Sequence, residues 1–477
     1  MRKKITVLIV LLMCLLSACS SPDRLTSKHY INTGEDQLNE TTRNPSSAPE
    51  NSDSSVQTVT SEHSVSHSSG PTDDHTSESS QPAKDNTYNL SYNGYYYKNL
   101  TVGQKSIYKK IDAAIYEMKN GYIDLGSTQY SNIILAYAAV INDRSEYFWL
   151  DQSKYGIKYE DGKYYMCFSG VNINDLQLSY LYSEDQKSLL QQQIDQRLRQ
   201  IILEAQAKEN EYEKALLVHD WVVKNIEYDS VTADAVINKN QAGLDKDSFT
   251  ILGGVLPRQT NHGVAVRAVC EGYAKTYHYI LKQLGFESVL VTGNYNGYGH
   301  MWNCVKINNE WYFTDCTNDD LYSEAVSHTF FNVSSRALSR VYNFDKTVTP
   351  YTVDTITEDE SFNFCLPECK STQYNYFVVN KRCLSLGDFN IELGMVEASA
   401  NTISKIADLI VSENAKQVKT TELCFGDATE FVFNEDTTAA LIGITDIAEQ
   451  IKKTGAQIKN IRVKGINGAK GFMICWE

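Results

Sequence analysis

The chain has 477 residues, of which 42% are hydrophobic and 22% charged, and its formal net charge at pH 7 is −15. These proportions are those of a globular protein, and the length exceeds what one hydrophobic core usually holds, so two or three folded units are expected. The acidic balance, with no run rich in Lys and Arg, argues against a nucleic-acid partner, which would require a basic face.

Residues 1–18 have the pattern of a cleaved export signal. Three basic residues near the start are followed by the apolar run Ile5–Leu16, which is shorter than the about 20 residues that span a bilayer as a helix. The run ends in Leu16-Ser17-Ala18-Cys19, which resembles the lipobox of bacterial lipoproteins. The resemblance implies cleavage before Cys19, acylation of its thiol, and an extracytoplasmic protein held at the cell membrane by lipid. The alternative is a simple secretory signal with an incidental cysteine.

Residues 19–87 are predicted to be a disordered linker. The segment is rich in Ser, Thr and acidic residues and nearly lacks aromatic side chains. Such a composition buries too little apolar surface to offset the entropy of the chain. Its histidines, His29, His63, His67 and His75, are interpreted as solvated residues and not as metal ligands.

Residues 88–200 are predicted to form an N-terminal α+β region, and a further helix follows it. Periodicity of 3.6 residues predicts helices, and alternation predicts strands. The helices are expected at 107–118, 183–209 and 212–225, and the strands at 147–150 and 164–168. His219 lies on the apolar stripe of the last helix, where a hydrogen-bonded core histidine is a better interpretation than a catalyst.

Cys270 is predicted to begin a helix that extends to a C-terminal cap at Gly285. At a helix N-terminus, the unpaired amides and the positive end of the dipole favour the reactive thiolate. If Cys14 leaves with the signal and Cys19 is acylated, nine of the eleven cysteines remain, and an odd number leaves at least one free thiol. For an isolated cysteine, the competing interpretation is a buried and inert thiol.

A tight hairpin is predicted at Asn308-Asn309, between two runs rich in aromatic residues. A two-residue loop pairs Ile307 with Glu310, and this register puts His300 and Asp315 on one face as diagonal neighbours about 7–8 Å apart at the backbone. A slip of one residue would separate them.

The same alternation of side chains between the two faces of the hairpin argues against a disulfide between Cys304 and Cys316, because their side chains would point to opposite faces. It places Trp302 beside His300, as a residue that lines the site, packs in the core, or does both.

A thiol at a helix start and an imidazole oriented by a carboxylate are the parts needed for nucleophilic acyl transfer. Three blocks carry these residues: Val-Cys-Glu-Gly-Tyr-Ala at 269–274, Gly-His-Met-Trp-Asn at 299–303 and Trp-Tyr-Phe-Thr-Asp at 311–315. With the upstream segment His219–Asp229, they resemble the bacterial transglutaminase-like superfamily over roughly residues 200–325. The resemblance implies a papain-like α+β core, with the cysteine helix packed on an antiparallel sheet, in a catalytic domain at 201–350. It carries the catalytic roles to Cys270, His300 and Asp315.

Two departures from the family pattern affect other site residues. The chain has Thr317-Asn318-Asp319 where the family often has Thr-Trp-Asp after the catalytic Asp. The insert Leu252–Val266 obscures the second oxyanion donor, for which Gln259 or Asn261 is a candidate and ordinary loop residues are the alternative. His278 is expected to be a packing or surface residue, and His262 a loop residue.

Residues 351–477 are predicted to form a smaller C-terminal α+β domain of unassigned role. Strands are expected at 376–379 and 430–433 and near the C-terminus, and helices at 402–412 and 442–453. Cys365 and Cys369 flank Pro367, but two further ligands at matching spacing are missing, so no zinc site is predicted.

The sequence thus predicts a cell-surface cysteine enzyme that forms a thioester with a protein or peptide substrate and requires no cofactor or metal. Hydrolysis is slightly favoured over crosslinking. The rival interpretation is a transglutaminase-like binding module without catalysis, and a metal site at Cys270 and His300 ranks third.

Overall fold

The computed structural model describes residues 92–168, 180–260, 263–320, 325–343, 347–348, 364–392 and 395–477. The predicted signal peptide, the predicted linker and the lipidation site at Cys19 lie outside these ranges. Within them, no helix has both the length and the apolar character needed to cross a membrane.

The N-terminal part combines helices with a small antiparallel sheet in the order β1-β3-β2. Thr101 caps the second helix by a reciprocal capping box with Gln104, which fixes where that helix begins. The elements are α1 (Tyr95–Lys98), α2 (Val102–Tyr116), β1 (Tyr122–Gly126), α3 (Tyr130–Asp143), β2 (Gly156–Glu160) and β3 (Lys163–Cys167). The helix and the strand predicted at 107–118 and 164–168 are therefore confirmed.

The strand predicted at 147–150 is wrong. All four side chains of this run are buried, and Leu150 forms an isolated β-bridge with Tyr180. The segment is a turn in which Tyr147 donates a hydrogen bond to Asp112 (2.6 Å) and the Trp149 indole N–H donates one to the Ile115 carbonyl (3.2 Å). Packing against α2 thus decides the conformation of this run.

Five helices and several short strands follow. Ser183 and Asn210 cap the first two helices, as expected for residues that satisfy free amides at helix starts. Both long helices and the one beginning at Cys270 confirm the predictions. The elements are α4 (Glu184–Gln206), α5 (Glu211–Asn225), β4 (Glu227–Tyr228), α6 (Ser230–Ile237), α7 (Ile251–Val255), β5 (Arg258–Thr260), β6 (Gly263–Ala265), β7 (Arg267–Ala268) and α8 (Cys270–Gln283).

The central sheet consists of β8 (Ser288–Tyr295), β9 (Tyr298–Ile307), β10 (Glu310–Thr314) and β11 (Tyr342–Asn343), in the antiparallel order β10-β9-β8-β11. The pairing of Glu310 with Ile307 confirms the predicted hairpin register. Asn308 and Asn309 have φ angles of 48° and 68°, the left-handed values that a tight hairpin turn requires. The side-chain amide of Asn303 donates a hydrogen bond to the Ala274 carbonyl (3.0 Å) and holds α8 against this sheet.

The C-terminal part contains a four-stranded sheet in the order β14-β17-β19-β18, with a second apolar core between it and the helices. The remaining elements are α9 (Cys316–Asp319), α10 (Ser335–Leu338), β12 (Thr347–Val348), β13 (Phe364–Cys365), α11 (Tyr376–Val379), β14 (Cys383–Leu384), β15 (Phe389–Glu392), β16 (Met395–Ala398), α12 (Ala400–Ala415), β17 (Thr420–Phe425), α13 (Glu435–Leu441), α14 (Ile444–Lys453), β18 (Arg462–Gly465) and β19 (Gly471–Cys475).

Two strand predictions in this part are wrong, whereas the helices expected at 402–412 and 442–453 and the terminal strands are confirmed. Residues 376–379 form a helical turn because the Asn375 side chain accepts from the Phe377 amide and caps it. Residues 430–433 are irregular, since β17 already pairs with β14 and β19; Phe433 is buried in the second core. The predicted domain boundaries at 200 and 350 stay predictions.

Candidate active site

Cys270 occupies the first turn of α8 and is partly exposed. The amide of the preceding residue, Val269, donates to the Ser248 carbonyl (3.0 Å) and anchors this helix start. Gly272 makes the approach possible, because a Cβ at this position would lie 2.5 Å from the Ser248 oxygen and 2.6 Å from Ala268 Cβ. The glycine of the Cys-Glu-Gly motif therefore allows the thiol-bearing helix to seat against its neighbours.

His300 lies on β9, where it pairs with Gly293 of β8. Its side chain is 9% exposed, and Trp302, two residues along the same face, stacks on the imidazole with ring centroids 5.9 Å apart. Trp302 thus lies where the hairpin parity predicted. Its side chain is fully buried, so in this structure it supports the imidazole from the core side.

Asp315 follows β10 and is the N-cap of α9. One carboxylate oxygen, Oδ1, accepts from the amides of Thr317 (2.9 Å) and Asn318 (3.2 Å). The other, Oδ2, accepts from His300 Nε2 at 2.6 Å. Because Asp315 both caps a helix and binds the imidazole, the fold fixes the orientation of the carboxylate before it orients the histidine.

Two further side chains hold the Oδ2 atom of Asp315. The Tyr342 hydroxyl donates to it at 2.5 Å and the Asn318 side-chain amide at 3.1 Å. Sequence reasoning missed both. Asn318 was noted only as a departure from the family pattern, and Tyr342 arrives from β11, 27 residues away, without any local signal.

The electrostatics of the site favour an imidazolium. Burial opposes the charge, but the Asp315 carboxylate and the Cys270 sulfur outweigh it and raise the pKa of His300 to about 10. Burial also opposes ionisation of Asp315, and its contact with His300 lowers the pKa of the carboxyl below its usual value. A hydrogen bond between Cys270 and His300 contributes to the shift. With Nε2 bound to Asp315, Nδ1 is the nitrogen available to the thiol.

The other candidates are distributed as follows. Gln259 is exposed on β5 and pairs with Val264, and its role as an oxyanion donor stays a prediction; Asn261 and His262 lie outside the described residues. His278 is buried and its Nδ1 lies 3.0 Å from the Ser288 hydroxyl, which agrees with a packing role. His219 is fully buried with hydrogen bonds to both ring nitrogens, as expected for a core histidine.

Comparison with known proteins agrees with this geometry. Residues 199–316 match the model of the transglutaminase-like superfamily, and this range includes Cys270, His300 and Asp315. No curated protein matches the sequence.

Two solved structures are similar over about a third of the chain. A TGase crystal structure is 20% identical with a TM-score of 0.22, and the match covers 36% of this chain and 45% of that one. A protein from Cytophaga hutchinsonii described as a candidate cysteine protease is 15% identical with a TM-score of 0.19, covering 34% of this chain and 61% of that one. Less than two thirds of either structure is therefore matched. Residues 199–316 are thus similar to the transglutaminase-like superfamily, and the described residues form a mixed α and β fold with a transglutaminase-like core.

Proposed function

We propose that the protein is a cysteine-dependent enzyme that acts on peptide or glutamine-type amides through a thioester on Cys270. The observation that carries the proposal is the convergence of a partly exposed thiol, an imidazole and a buried carboxylate, with His300 Nε2 2.6 Å from Asp315. This is the arrangement of an activated nucleophile, its base and the group that orients the base.

In the proposed reaction, the thiol proton moves to His300 Nδ1 and the Cys270 sulfur attacks the amide carbon. The oxygen becomes negatively charged and accepts a hydrogen bond from the Cys270 backbone amide at the start of α8. Collapse of this intermediate breaks the C–N bond, and His300 protonates the leaving amine. Asp315 stabilises the imidazolium throughout these steps.

The thioester has two possible fates. Attack by water, with His300 as base, releases an acid and completes hydrolysis; attack by an amine, such as a lysine side chain, completes crosslinking. The partly exposed Cys270 favours hydrolysis, because bulk water can reach a thioester formed at a solvent-accessible sulfur. We therefore place peptidase or amidase activity first.

Mass spectrometry of a peptide library containing glutamine and lysine distinguishes the reactions in one experiment. Incubation with the purified full chain is expected to produce backbone cleavage or deamidation. Isopeptide formation would instead show crosslinking, and each product has a different mass. The matched control is the Cys270→Ala variant, in which every product is expected to disappear.

The second candidate function is a binding module that kept the fold without catalysis. An amide-mimicking electrophile separates the two, with the labelled residue located by peptide mapping because Cys365 is also exposed. Labelling at Cys270 that persists in Cys304→Ala and is lost in His300→Ala supports the enzyme. Failure to label Cys270 in the wild type would favour the binding module.

We also propose that acylation of Cys19 anchors the protein to the extracytoplasmic face of a membrane, with a protein or peptide as substrate. The supporting observation is the Leu-Ser-Ala-Cys sequence after a short apolar run. Incorporation of labelled palmitate into the wild type, but not into Cys19→Ser, is the expected result. Equal fractionation of both proteins with the membrane would argue against the anchor.

A further inference from the structure

A second cluster of ionisable side chains lies between α5 and the segment 325–334. His219 and Asp220 are neighbours on α5, and His328 approaches from the opposite side. Asp220 Oδ1 lies 3.2 Å from His219 Nδ1 and 3.0 Å from His328 Nε2. All three potential ligand atoms lie within 4.8 Å of one another, and the proposed acyl-transfer mechanism uses none of them.

The outer nitrogen of each histidine is held by a carboxylate. Asp319 Oδ2 lies 3.1 Å from His219 Nε2, and Glu422 Oε2 lies 2.6 Å from His328 Nδ1. Metal-binding histidines almost always donate their second N–H in this way, which fixes the tautomer and directs the lone pair of the other nitrogen at the metal. Here both inner nitrogens face Asp220.

The cluster is rigid but not sealed. The His219 side chain is fully buried and that of His328 is 9% exposed, and the ring of Tyr376 stacks on His328 at 3.8 Å. The Asp220 side chain is 25% exposed, so an ion and a water molecule can reach the cluster from that side. Lys224 lies 3.6 Å from the other oxygen of Asp220, and its 61% exposure leaves it free to move aside.

The donor set selects the type of ion. Two imidazole nitrogens and one carboxylate oxygen suit Zn²⁺, whereas Ca²⁺ and Mg²⁺ prefer shells made mainly of oxygen. With metal–ligand bonds of about 2.0–2.1 Å, the ligand atoms of a tetrahedral zinc site lie roughly 3.4 Å apart. The two distances from Asp220 to the histidine nitrogens, 3.0 and 3.2 Å, are a few tenths of an ångström shorter than this value, and the ligand atoms of the two histidines lie within 4.8 Å of each other.

We propose that His219, Asp220 and His328 bind a Zn²⁺ ion, with water as the fourth ligand and with Asp319 and Glu422 as outer carboxylates. Its proposed role is to hold α5 to the segment 325–334, because the three ligands come from these two parts of the chain. Glu422 belongs to β17 of the C-terminal sheet, so the ion links that sheet to the transglutaminase-like domain.

The site also connects to the catalytic carboxylate. Asp319 is the last residue of α9, the helix that Asp315 caps, and its carboxylate accepts from the Phe330 amide at 3.1 Å. The Phe330 carbonyl in turn accepts from the Asp315 amide at 3.2 Å. The ion would therefore stabilise the backbone that holds Asp315 without contacting the substrate.

The test uses the purified, tag-free full chain after chelator treatment. Zinc binding is titrated by calorimetry, and thermal unfolding is measured at increasing zinc concentration. We expect one Zn²⁺ per chain and an increase in Tm that depends on zinc concentration. Replacing zinc by Co²⁺ gives a spectroscopic check, since the site should show no thiolate-to-cobalt charge-transfer band. Such a band would assign the ion to cysteines and overturn the proposal.

Substitutions distinguish the proposed zinc ligands from the outer carboxylates that hold the histidines. His328→Gln and Asp220→Asn should abolish stoichiometric binding, and Glu422→Gln should weaken it about 10–100-fold. The matched control replaces the linker histidines His29, His63, His67 and His75 by Gln and should bind as the wild type does.

The alternative is a network of protonated histidines and carboxylates without a metal. Absence of zinc uptake by the wild type, or undiminished uptake by Asp220→Asn, would overturn the proposed zinc site in favour of the metal-free network. Asp220 is the most exposed ligand, so its variant serves if His328→Gln fails to fold, and circular dichroism confirms the fold of each.

Discussion

Replacing Asp315 by Asn changes one atom at the most connected position of the candidate site. The Asn oxygen can still accept from the amides of Thr317 and Asn318, so the cap of α9 is preserved. In place of Oδ2, however, an NH₂ group meets three donors, from His300, Tyr342 and the Asn318 side chain. The imidazole is then expected to shift its proton to Nδ1, where it can no longer accept the thiol proton.

The expected size of the effect on the alkylation rate follows from the pKa of His300 and from the pKa of a free cysteine. The pKa of His300 is raised from 6.5 to about 10 by Asp315 and Cys270 against the effect of burial. At about 1.4 kcal/mol per pKa unit, the surroundings favour the imidazolium by roughly 5 kcal/mol. A free cysteine, with a pKa near 8.5, is only about 0.3% thiolate at pH 6, so losing the ion pair should slow alkylation at that pH by up to about 300-fold. That factor corresponds to about 3.4 kcal/mol and lies within the available stabilisation.

The assay needs no substrate. The rate of Cys270 alkylation by iodoacetamide is measured from pH 5 to 10, with peptide mapping to separate Cys270 from Cys365. At pH 6, Asp315→Asn should react with iodoacetamide up to about 300-fold more slowly than the wild type. Glu310→Gln is the matched control, because it makes the same chemical change at an exposed position of the same hairpin.

An unchanged alkylation rate at pH 6 in a folded Asp315→Asn protein would refute the reasoning. It would mean that the carboxylate does not sustain a thiolate–imidazolium pair, and that Asp315 serves only as the cap of α9.

Four further predictions concern the support of the site and the fold. Tyr342→Phe removes one donor to the Asp315 carboxylate and should slow Cys270 alkylation at pH 6 about tenfold. The raised pKa of His300 adds stability that is complete below pH 6.5 and lost as the pH rises toward about 10, so the denaturant midpoint should fall over that interval. Asp112→Asn removes the nearer carboxylate of the buried Arg144 (2.7 Å) and leaves Glu146 at 3.6 Å, and it should lower the free energy of unfolding by up to about 3–5 kcal/mol. Asn309→Val places a β-branched residue at φ 68° and should cost about 1–2 kcal/mol.

Each of these has an outcome that would contradict it. Wild-type alkylation by Tyr342→Phe would show that the other donors suffice. A midpoint that is constant from pH 6.5 to 10 would show that His300 is not protonated in the folded state. The Asp112→Asn and Asn309→Val effects are measured by urea unfolding, and changes below about 0.5 kcal/mol, typical of neutral surface substitutions, would argue against the salt bridge and the turn respectively.

Local pattern was enough to predict the parts of the site that lie close in sequence. The helix that starts at Cys270, the turn at Asn308-Asn309 and the pairing that puts His300 and Asp315 on one face all follow from periods of 3.6 and 2 residues. These patterns depend on residues that are close in sequence. The resemblance of three short blocks to one superfamily supplied the fold class.

Strand predictions for two runs of apolar residues are wrong. The aromatic run at 147–150 looked like a strand because alternation cannot be tested when every residue is apolar, and long-range packing on α2 made it a turn. At 376–379, a single cap by Asn375 made a helical turn from residues with strand propensity. The first failure is a case of tertiary context overriding local preference, whereas the second is due to a local cap.

The sequence by itself predicted Cys270, His300 and Asp315 as the proposed nucleophile, base and orienting carboxylate, because each lies on an element whose register is set by nearby residues. Only the tertiary structure decided what surrounds them. Tyr342 reaches Asp315 from another strand. His328 meets Asp220 across 108 residues of chain, and Glu422 meets His328 across 94. Contacts of that length leave no periodic trace, since burial and hydrogen bonding select them only after the chain has folded.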